Sequence, residues 1–214
     1  IIGNSTNNTI KGGGGDDIID GTGGNNYLDG ELGSDTVSFE SVTSVNGISV
    51  NIGNSAVTIN GTSYAAESAI RNGFTSTVVN FENIQGSKNA DILIGSDDSN
   101  SIRGGDGNDT IYGGKGKNYL YGDSGADKFI MGGFFDGTPT DHAYVNQVDG
   151  GSGADVLDYS LVTTGAISVT LDGEVAVKVS IYSDNVRTSE IVLTYDEVKN
   201  IRNIIGTSGN DYIK

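Results

Sequence analysis

The sequence predicts an all-β fold, a parallel β-roll or β-helix solenoid with 18-residue coils that is interrupted by β-rich inserts. Three observations lead to this prediction. Large apolar residues recur every nine positions, Gly-rich hexapeptides lie between them, and the remaining segments alternate apolar and polar residues as half-buried strands do. The 34 glycines among 214 residues also disfavour helices, because glycine is a poor helix former.

Charge and composition exclude several classes of function. The chain has 12 Lys and Arg against 28 Asp and Glu, and the net charge of −16 argues against nucleic acid or an anionic membrane surface as a partner. It has no cysteine, which excludes disulfides, thiolate zinc sites and cysteine nucleophiles. No window approaches about 18 consecutive apolar residues, so we expect neither a membrane span nor a signal peptide. We also expect the chain to be part of a longer protein.

The nine-residue period has two series of apolar residues. They are Ile10, Ile19, Leu28 and Val37, then Ile84, Leu93, Ile102, Ile111, Leu120 and Phe129. The hexapeptides between them follow G-G-x-G-x-D at 12–17, 30–35, 104–109, 122–127, 150–155 and 206–211, with weaker matches at 3–8, 21–26, 86–91, 95–100 and 113–118. Each apolar residue suits a short strand, and each Gly-rich hexapeptide suits a turn. Two nonapeptides therefore make one coil, and stacked coils build a thin apolar core.

Position six of the hexapeptide alternates between Asn and Asp. The order is Asn8, Asp17, Asn26 and Asp35, and later Asp91, Asn100, Asp109, Asn118 and Asp127. Because every second nonapeptide lies on the same side of the coil, one side stacks Asp over Asp and the other stacks Asn over Asn. Of the 28 acidic residues, 21 are Asp, whose short side chain suits turns and hard-cation sites. The stacked carboxylates need a neutralising partner.

These nonapeptides resemble the calcium-binding, hemolysin-type repeats of the RTX (repeats-in-toxin) family over residues 3–38, 86–130, 150–158 and 206–214. The resemblance implies a β-roll with several Ca²⁺ ions between stacked turns. It also implies export by type I secretion machinery, folding once Ca²⁺ is met outside the cell, and a secreted or cell-surface location. The motif is specific for fold and metal, but toxins, adhesins, lipases, proteases, epimerases and surface-layer proteins all carry it.

The resemblance also implies the metal ligands. In the family, a turn contributes the carbonyls at positions two and four and the Asp at six, and the next turn on that side contributes carbonyls one and three and its Asp. The four implied sites are Gly13, Gly15, Asp17, Gly30, Leu32 and Asp35; Ser87, Asn89, Asp91, Gly104, Asp106 and Asp109; Gly105, Gly107, Asp109, Gly122, Ser124 and Asp127; and Asp123, Gly125, Asp127, Gly150, Ser152 and Asp155. Oxygen ligands in this number satisfy Ca²⁺.

The Asn side departs from the family pattern. An amide oxygen ligates without charge, and Lys115 and Lys117 in one of these turns would repel a cation. We expect weak, partial or no calcium there, with Asn side chains hydrogen-bonded along the stack. The alternative is that Asn simply replaces Asp in working sites, since carbonyls supply most ligands.

A second, longer period of about 120 residues relates the two halves of the chain. Residues 35–39 resemble 155–159, 48–52 resemble 167–171, and 81–93 resemble 201–213, with offsets of 120, 119 and 120. If Val148 is the apolar residue of its nonapeptide, Asn146 takes position six on the Asn side and Asp155 stacks on Asp127. Residues 131–147 are then an enlarged, protruding turn that holds Phe134, Phe135, Pro139, Asp141 and His142.

These periods divide the chain into five parts. We predict an RTX β-roll at 1–38, a β-rich insert at 39–85, a β-roll with the enlarged turn at 86–158, a second insert at 159–205 and the start of another block at 206–214. The inserts are expected to continue the solenoid as wider coils with hairpin excursions; the alternative is a separate small β domain at each. Residues 65–72 (AAESAIRN) could form one or two helical turns.

The outward faces of the strands carry aromatic and aliphatic side chains. They are Tyr27, Tyr112, Tyr119, Tyr121, Ile92, Ile94 and Ile130. We expect an insert to cover them, and the alternative is an aromatic face that stacks on sugar rings.

The leading hypothesis is a non-enzymatic calcium-binding repeat region of a large secreted protein, an adhesin or a toxin-like protein, with a possible cell-surface or glycan ligand. The alternative is a carbohydrate-binding or C-terminal module of a secreted enzyme (epimerase, lipase or protease), which would show a patch of Tyr with Arg103 and Lys128. An enzyme on a β-helix, such as a polysaccharide lyase, ranks last, because His142 is the one histidine and no catalytic cluster accompanies it. No catalytic residue is predicted.

Overall fold

Short strands make up the architecture of the protein. The computed structural model describes residues 1–42, 45–132, 146–162, 165–171, 177–182 and 192–214, and within these ranges it has 22 strands and no helix. The strands are β1 (Thr9–Gly14), β2 (Ile18–Ile19), β3 (Tyr27–Leu32), β4 (Thr36–Ser38), β5 (Ser49–Asn51), β6 (Val57–Ile59), β7 (Thr62–Tyr64), β8 (Ser68–Arg71), β9 (Phe74–Val79), β10 (Asn83–Gln85), β11 (Ile92–Ile94), β12 (Ser101–Asp106), β13 (Thr110–Tyr112), β14 (Tyr119–Ser124), β15 (Lys128–Ile130), β16 (Gln147–Asp149), β17 (Val156–Asp158), β18 (Ala166–Val169), β19 (Val177–Tyr182), β20 (Val192–Lys199), β21 (Asn203–Ile205) and β22 (Tyr212–Ile213).

Two ten-stranded sheets form the walls of the roll. Sheet 1 has the order β1-β3-β9-β8-β5-β11-β13-β15-β17-β21, and sheet 2 has the order β2-β4-β10-β12-β14-β16-β20-β19-β18-β22. Most neighbours are parallel, and the nonapeptide strands pair at a spacing of 18 residues, as in Ile10 with Leu28 and Ile102 with Leu120. The prediction of a parallel all-β roll is therefore confirmed, because each coil crosses from one sheet to the other and back.

The core is the line of apolar residues predicted by the nine-residue period. Within both series every member is at most 1 % exposed except Ile10, which is partly buried at the end of the stack. Val148 pairs with Leu120 and is also buried, which gives the coil around residues 131–147 the register expected for an enlarged turn. Residues 133–145, with Phe134, Phe135, Pro139, Asp141 and His142, lie outside the described residues.

Both inserts add strands to the two sheets. In the first, β5 lies parallel to β11, β8 is antiparallel to both β5 and β9, and β9 returns parallel to β3 in sheet 1. In the second, β18 lies parallel to β22, β19 is antiparallel to both β18 and β20, and β20 returns parallel to β16 in sheet 2. Each insert thus adds three neighbouring strands to one sheet, and the middle strand of the three is antiparallel to the other two.

The helical turns expected within residues 65–72 are wrong. Ser68–Arg71 forms β8, in which Ala69 faces the core and Ile70 is exposed. A helix of this length is marginal alone, and β8 instead gains backbone partners on both sides in sheet 1.

The antiparallel hairpin of β6 and β7 covers part of the outer face of sheet 1. Its Ile59 packs with Ile94 and Ile130 to form a second small core, against which Val57, Tyr64, Ile92 and Tyr112 also lie. Most of the aliphatic outer face thus serves to hold the insert.

The second insert contains a buried polar contact that the first insert lacks. The hydroxyl of the fully buried Tyr159 donates to Asp196 Oδ2 at 2.6 Å, and Asp196 Oδ1 accepts Asn146 Nδ2 at 2.8 Å. The residues 120 positions earlier are Phe39 and Ser76, which cannot form this pair. At this place in the core, the second copy of the longer repeat therefore has a Tyr–Asp pair where the first copy has Phe and Ser.

Replacing Tyr159 by Phe should lower the free energy of unfolding by about 1–3 kcal/mol, because the buried Asp196 carboxylate loses a donor. Urea denaturation followed by circular dichroism measures the loss. The double change Tyr159→Phe with Asp196→Ser restores the pairing of the first copy and should recover part of the stability. Equal stability of wild type and Tyr159→Phe would show that the hydroxyl is not a needed donor.

Candidate metal centre

The turns of the roll lie along two edges. Edge 1 consists of the turns that lead from sheet 1 to sheet 2, such as 12–17, 30–35, 95–100 and 113–118; edge 2 consists of the turns that lead from sheet 2 to sheet 1, such as 21–26, 86–91, 104–109, 122–127 and 150–155. Position six of each turn is directly followed by a strand. Its side chain therefore stacks on the position-six residues of neighbouring coils.

Four aspartates form a column on edge 2, which we call the acid column: Asp91, Asp109, Asp127 and Asp155. Each is at most 1 % exposed. The Oδ1 atoms of Asp109, Asp127 and Asp155 accept the backbone N–H of the preceding aspartate in the column at 2.8, 2.9 and 2.8 Å, and Asp91 Oδ1 accepts that of Ile48 at 2.8 Å. One carboxylate oxygen of each residue is thus used to hold successive coils together.

The second carboxylate oxygen is left without a partner in most of these residues. In the acid column the Oδ2 atoms of Asp109, Asp127 and Asp155 are buried and accept no hydrogen bond, and the same holds for Asp35 on edge 1. A buried unpaired carboxylate oxygen is costly, and it needs a proton or a cation. Asp91 differs, because its Oδ2 accepts the backbone N–H of Ser87 at 2.6 Å.

Each unpaired oxygen faces a small space kept open by a glycine at position one. A methyl group on Gly122 would clash with Asp127 Oδ2 and lie 2.5 Å from the carbonyl oxygen of Gly150. On Gly104 it would clash with Asp109 Oδ2 and lie 2.8 Å from the Gly122 carbonyl oxygen. A carboxylate oxygen and a carbonyl oxygen of the next turn therefore border the same space. Gly12, Gly30, Gly86 and Gly150 border equivalent spaces.

The other implied carbonyl ligands also meet between turns. A methyl group on Gly105 would clash with the carbonyl oxygen of Ser87 in the preceding turn, and a methyl group on Gly107 would clash with the carbonyl group of Asn89. The same relation joins Gly107 to Gly125, Asp123 to Gly151, Gly125 to Gly153 and Gly15 to Gly33. Position-three carbonyls at Leu32, Ser124 and Ser152 each accept one backbone N–H, from Gly15, Gly107 and Gly125, and keep a second lone pair. Asp106 lies beside Ser124 and Gly13 beside Glu31 in the ladder.

This donor set consists mostly of carbonyls. Within the described part of the chain, no group of three or more His, Cys, Asp or Glu side chains is close enough to hold a metal ion. Carboxylate and carbonyl oxygens in such a mixture suit Ca²⁺, which takes six to eight oxygen ligands with flexible geometry. The unpaired Oδ2 atoms of Asp109 and Asp127 and the spaces beside Gly104 and Gly122 fit that ion.

Comparison with protein families agrees with this geometry. A family model described as the RTX calcium-binding nonapeptide repeat matches the chain in four copies, at residues 2–37, 82–110, 94–129 and 143–160. The chain carries RTX calcium-binding repeats. These repeats imply Ca²⁺ binding and the repeat region of a type I secreted protein. No curated protein matches the chain. Among the described residues, no helix is long and apolar enough to cross a membrane.

The RTX acid column has raised pKa values. Burial, followed by the charges of neighbouring aspartates, raises the pKa of Asp109 to about 8, and burial raises the pKa of Asp127 to about 6. Burial also raises the pKa of Asp91 and of Asp155. Without a cation, the folded column therefore holds protons that an unfolded chain would release near pH 4.

Without calcium, stability should fall as the pH rises from about 4 to about 8, because over this range the folded state binds more protons than the unfolded state. Because we expect the chain to be mostly unfolded without calcium, this is measured in chelator between pH 5 and pH 8 by adding an osmolyte such as trimethylamine oxide: the osmolyte concentration that folds half of the chain, followed by circular dichroism, should rise with pH. At limiting calcium the sign should reverse, since Ca²⁺ binding displaces these protons and strengthens with pH. A midpoint osmolyte concentration in chelator that falls as the pH rises over this range would contradict the expectation.

The Asn turns satisfy themselves in a different way. Asn100 N donates to Asn118 Oδ1 at 2.9 Å, Asn118 N donates to Asn146 Oδ1 at 3.0 Å, and Asn8 N donates to Asn26 Oδ1 at 2.9 Å. The amide nitrogen then donates within its own turn, as Asn118 Nδ2 does to the Lys115 carbonyl at 2.9 Å. The side-chain NH₂ group of each Asn thus stands where an Asp has its Oδ2 atom, and unlike that oxygen it has a hydrogen-bond partner. Weak or absent calcium binding on the Asn turns stays a prediction.

The structure also shows a change of edge that the sequence reasoning missed. Asp17 and Asp35 lie on edge 1, where Asp17 N donates to Asp35 Oδ1 at 2.8 Å, whereas the acid column lies on edge 2. The first insert causes the change: at its end Glu82 lies opposite Asp35 on edge 1, and the next turn then places Asp91 on edge 2. Acidic residues in two successive turns were the signal that could have revealed it.

Proposed function

We propose that this chain is a non-enzymatic, calcium-dependent repeat region of a large secreted protein, an adhesin or a toxin-like protein. The observation that carries the proposal is the acid column, whose buried aspartates lie one coil apart and three of which, Asp109, Asp127 and Asp155, have an unpaired Oδ2 atom. A fold that depends on calcium accounts for these atoms, because the ion satisfies oxygens that would otherwise destabilise the roll.

The mechanism couples ion binding to folding. At the low calcium concentration inside a cell, repulsion along the acid column and the net charge of −16 keep the chain unfolded and suited to passage through type I secretion machinery. Outside, Ca²⁺ binds the folded form and stabilises it by mass action. Several sites that share aspartates, as Asp109 and Asp127 would, should make the transition steep.

No residue is assigned a catalytic role in this proposal. The buried carboxylates of the described residues hold neighbouring coils together, form ion pairs or are the proposed Ca²⁺ ligands. Asp158, for example, pairs with Lys128 at 2.7 Å. These roles explain why acidic residues lie close together, so general acid–base catalysis is not needed to explain them.

Far-UV circular dichroism tests the proposal directly. In EGTA the protein should give the spectrum of an unfolded chain, and millimolar Ca²⁺ should produce a strong β signal over a narrow concentration range. Mg²⁺ at the same concentration is the control, because it prefers a rigid octahedral shell and should fold the chain poorly. A strong β signal in EGTA would defeat the proposal.

A carbohydrate-binding module of a secreted enzyme is the second candidate. A shallow hollow on sheet 2 is lined by Tyr121, Gln147 and Glu197, which combine an aromatic ring with polar groups as sugar sites do. The expected basic residues are engaged, however: Arg103 stacks on Tyr121 at 4.8 Å and pairs with Asp123. A glycan array in calcium decides the matter, because binding that is lost in Tyr121→Ala would support this candidate and an empty array would remove it.

A further inference from the structure

The junction between turn 30–35 and the first insert repeats the geometry of the acid column with different residues. The pairing of Asp29 with Val79 and of Thr36 with Asn83 sets a three-residue turn, 80–82, against the six-residue turn. Asn80 therefore stands opposite Gly30, and Glu82 stands opposite Asp35. Phe81 between them is buried, so the insert closes the coil with its backbone and one acidic side chain.

The contacts at this junction leave one oxygen unsatisfied. Asp35 is fully buried, its Oδ1 accepts Asp17 N at 2.8 Å, and its Oδ2 has no hydrogen-bond partner. Its backbone N–H donates to Glu82 Oε2 at 2.8 Å, which brings the second carboxylate to the junction. The Glu82 carboxylate therefore lies against the backbone of Asp35, the residue that carries the unpaired buried oxygen.

A third oxygen borders the same space. A methyl group on Gly30 would lie 2.7 Å from Asp35 Oδ2 and would clash with the carbonyl oxygen of Asn80. This is the relation found at Gly104 and Gly122 within the RTX turns. The nonapeptide pattern does not include Asn80 and Glu82, because the insert supplies them.

The second junction, between turn 150–155 and the second insert, has the same backbone arrangement, but a basic residue replaces the acidic one. A methyl group on Gly150 would lie 2.8 Å from the unpaired Asp155 Oδ2 and would clash with the Asn200 carbonyl oxygen. The residue equivalent to Glu82 is Arg202, whose N–H donates to the Asp155 carbonyl at 3.1 Å, as that of Glu82 does to Asp35 at 3.2 Å. A guanidinium replaces a carboxylate at this position.

We propose that Asp35, Glu82 and the carbonyl of Asn80 form an additional Ca²⁺ site at the first junction, and that at the second junction the charge of Arg202 compensates Asp155 in place of an ion. Water completes the shell, which Ca²⁺ readily accepts. The proposal rests on calcium binding by the RTX turns. It adds a site that links the first insert to the first block of repeats.

Counting bound calcium tests this proposal. Equilibrium dialysis with radioactive Ca²⁺ gives the number of ions per chain for wild type, Glu82→Gln, Glu82→Arg, Arg202→Glu and Glu40→Gln. Glu40 lies in the same insert, is exposed and lies outside the junction, so its change controls for the loss of one charge. A circular dichroism spectrum of each variant in calcium shows that it is folded.

Glu82→Gln and Glu82→Arg should each weaken the binding of about one Ca²⁺ ion per chain by roughly tenfold or more, since ligand charge sets the affinity of such sites. Arg202→Glu should add one ion, and Glu40→Gln should match wild type. If wild type binds several ions and both Glu82 variants bind as many with equal affinity, the junction site is wrong while the RTX sites stand. If Arg202→Glu gains none, the role given to Arg202 is wrong. A wild type that binds no calcium overturns the proposed function as well.

Discussion

Replacing Asp109 by Asn should change stability in opposite directions with and without calcium. Asn keeps an oxygen that accepts the backbone N–H of Asp91, so the ladder is retained. It removes the charge from two of the implied RTX sites, which share this aspartate. A tenfold weakening at each of two sites corresponds to roughly 3 kcal/mol of unfolding free energy in saturating calcium.

In calcium, the melting temperature of Asp109→Asn should therefore fall by roughly 6–12 °C. In EGTA at pH 8, where wild type is not expected to fold unaided, the same variant should need less of an osmolyte to fold than wild type needs, because the buried charge, reflected in the pKa of about 8, is gone. Calorimetry in calcium measures the first effect, and osmolyte-induced folding in EGTA, followed by circular dichroism, measures the second.

Asp106→Asn is the matched control for this experiment. It removes the same charge from the same turn, but the Asp106 side chain is exposed and only its backbone carbonyl is an implied ligand. It should shift the melting temperature by less than about 2 °C. A loss of stability in Asp109→Asn that is the same in calcium and in EGTA would mean that Asp109 acts through packing alone.

Replacing Gly122 by Ala should destabilise the protein in every condition. The added methyl group would clash with Asp127 Oδ2 and lie 2.5 Å from the Gly150 carbonyl, which fills the space between two turns. The coils must move apart to admit it. We expect a loss of about 3 kcal/mol, with calcium binding weakened at the site between turns 122–127 and 150–155.

Gly14→Ala tests whether the effect comes from the filled space. A methyl group on Gly14 meets nothing within 4 Å, and its backbone does not require glycine. Urea denaturation in calcium should leave this variant within about 0.5 kcal/mol of wild type. Equal stability of Gly122→Ala and Gly14→Ala would show that the space between turns is not tightly bordered.

Local pattern was enough to predict the roll and its core. The nine-residue period identified Leu93, Ile111 and Phe129 as inward residues, because each short strand contributes one inward side chain. It also predicted that Asp109 stacks on Asp127, since both coils have the same length. These features depend on the spacing of residues within a single coil.

Features that depend on pairing across the inserts could not be predicted in this way. Residues 68–71 form a strand because β5 and β9 flank them, which no local propensity of AAESAIRN indicates. The roles of Glu82 and Arg202 emerge only when β9 pairs with β3 and β20 pairs with β16, many residues apart. The change of edge between Asp35 and Asp91 follows from the same pairings.

Anomalous scattering from crystals grown in calcium shows whether ions lie between the turns of the roll. We expect density for an ion within ligand distance, about 2.3–2.6 Å, of the Oδ2 atoms of Asp109 and Asp127, between successive turns of edge 2. Crystals in which these side chains keep their buried positions and no anomalous peak lies between the turns would contradict it.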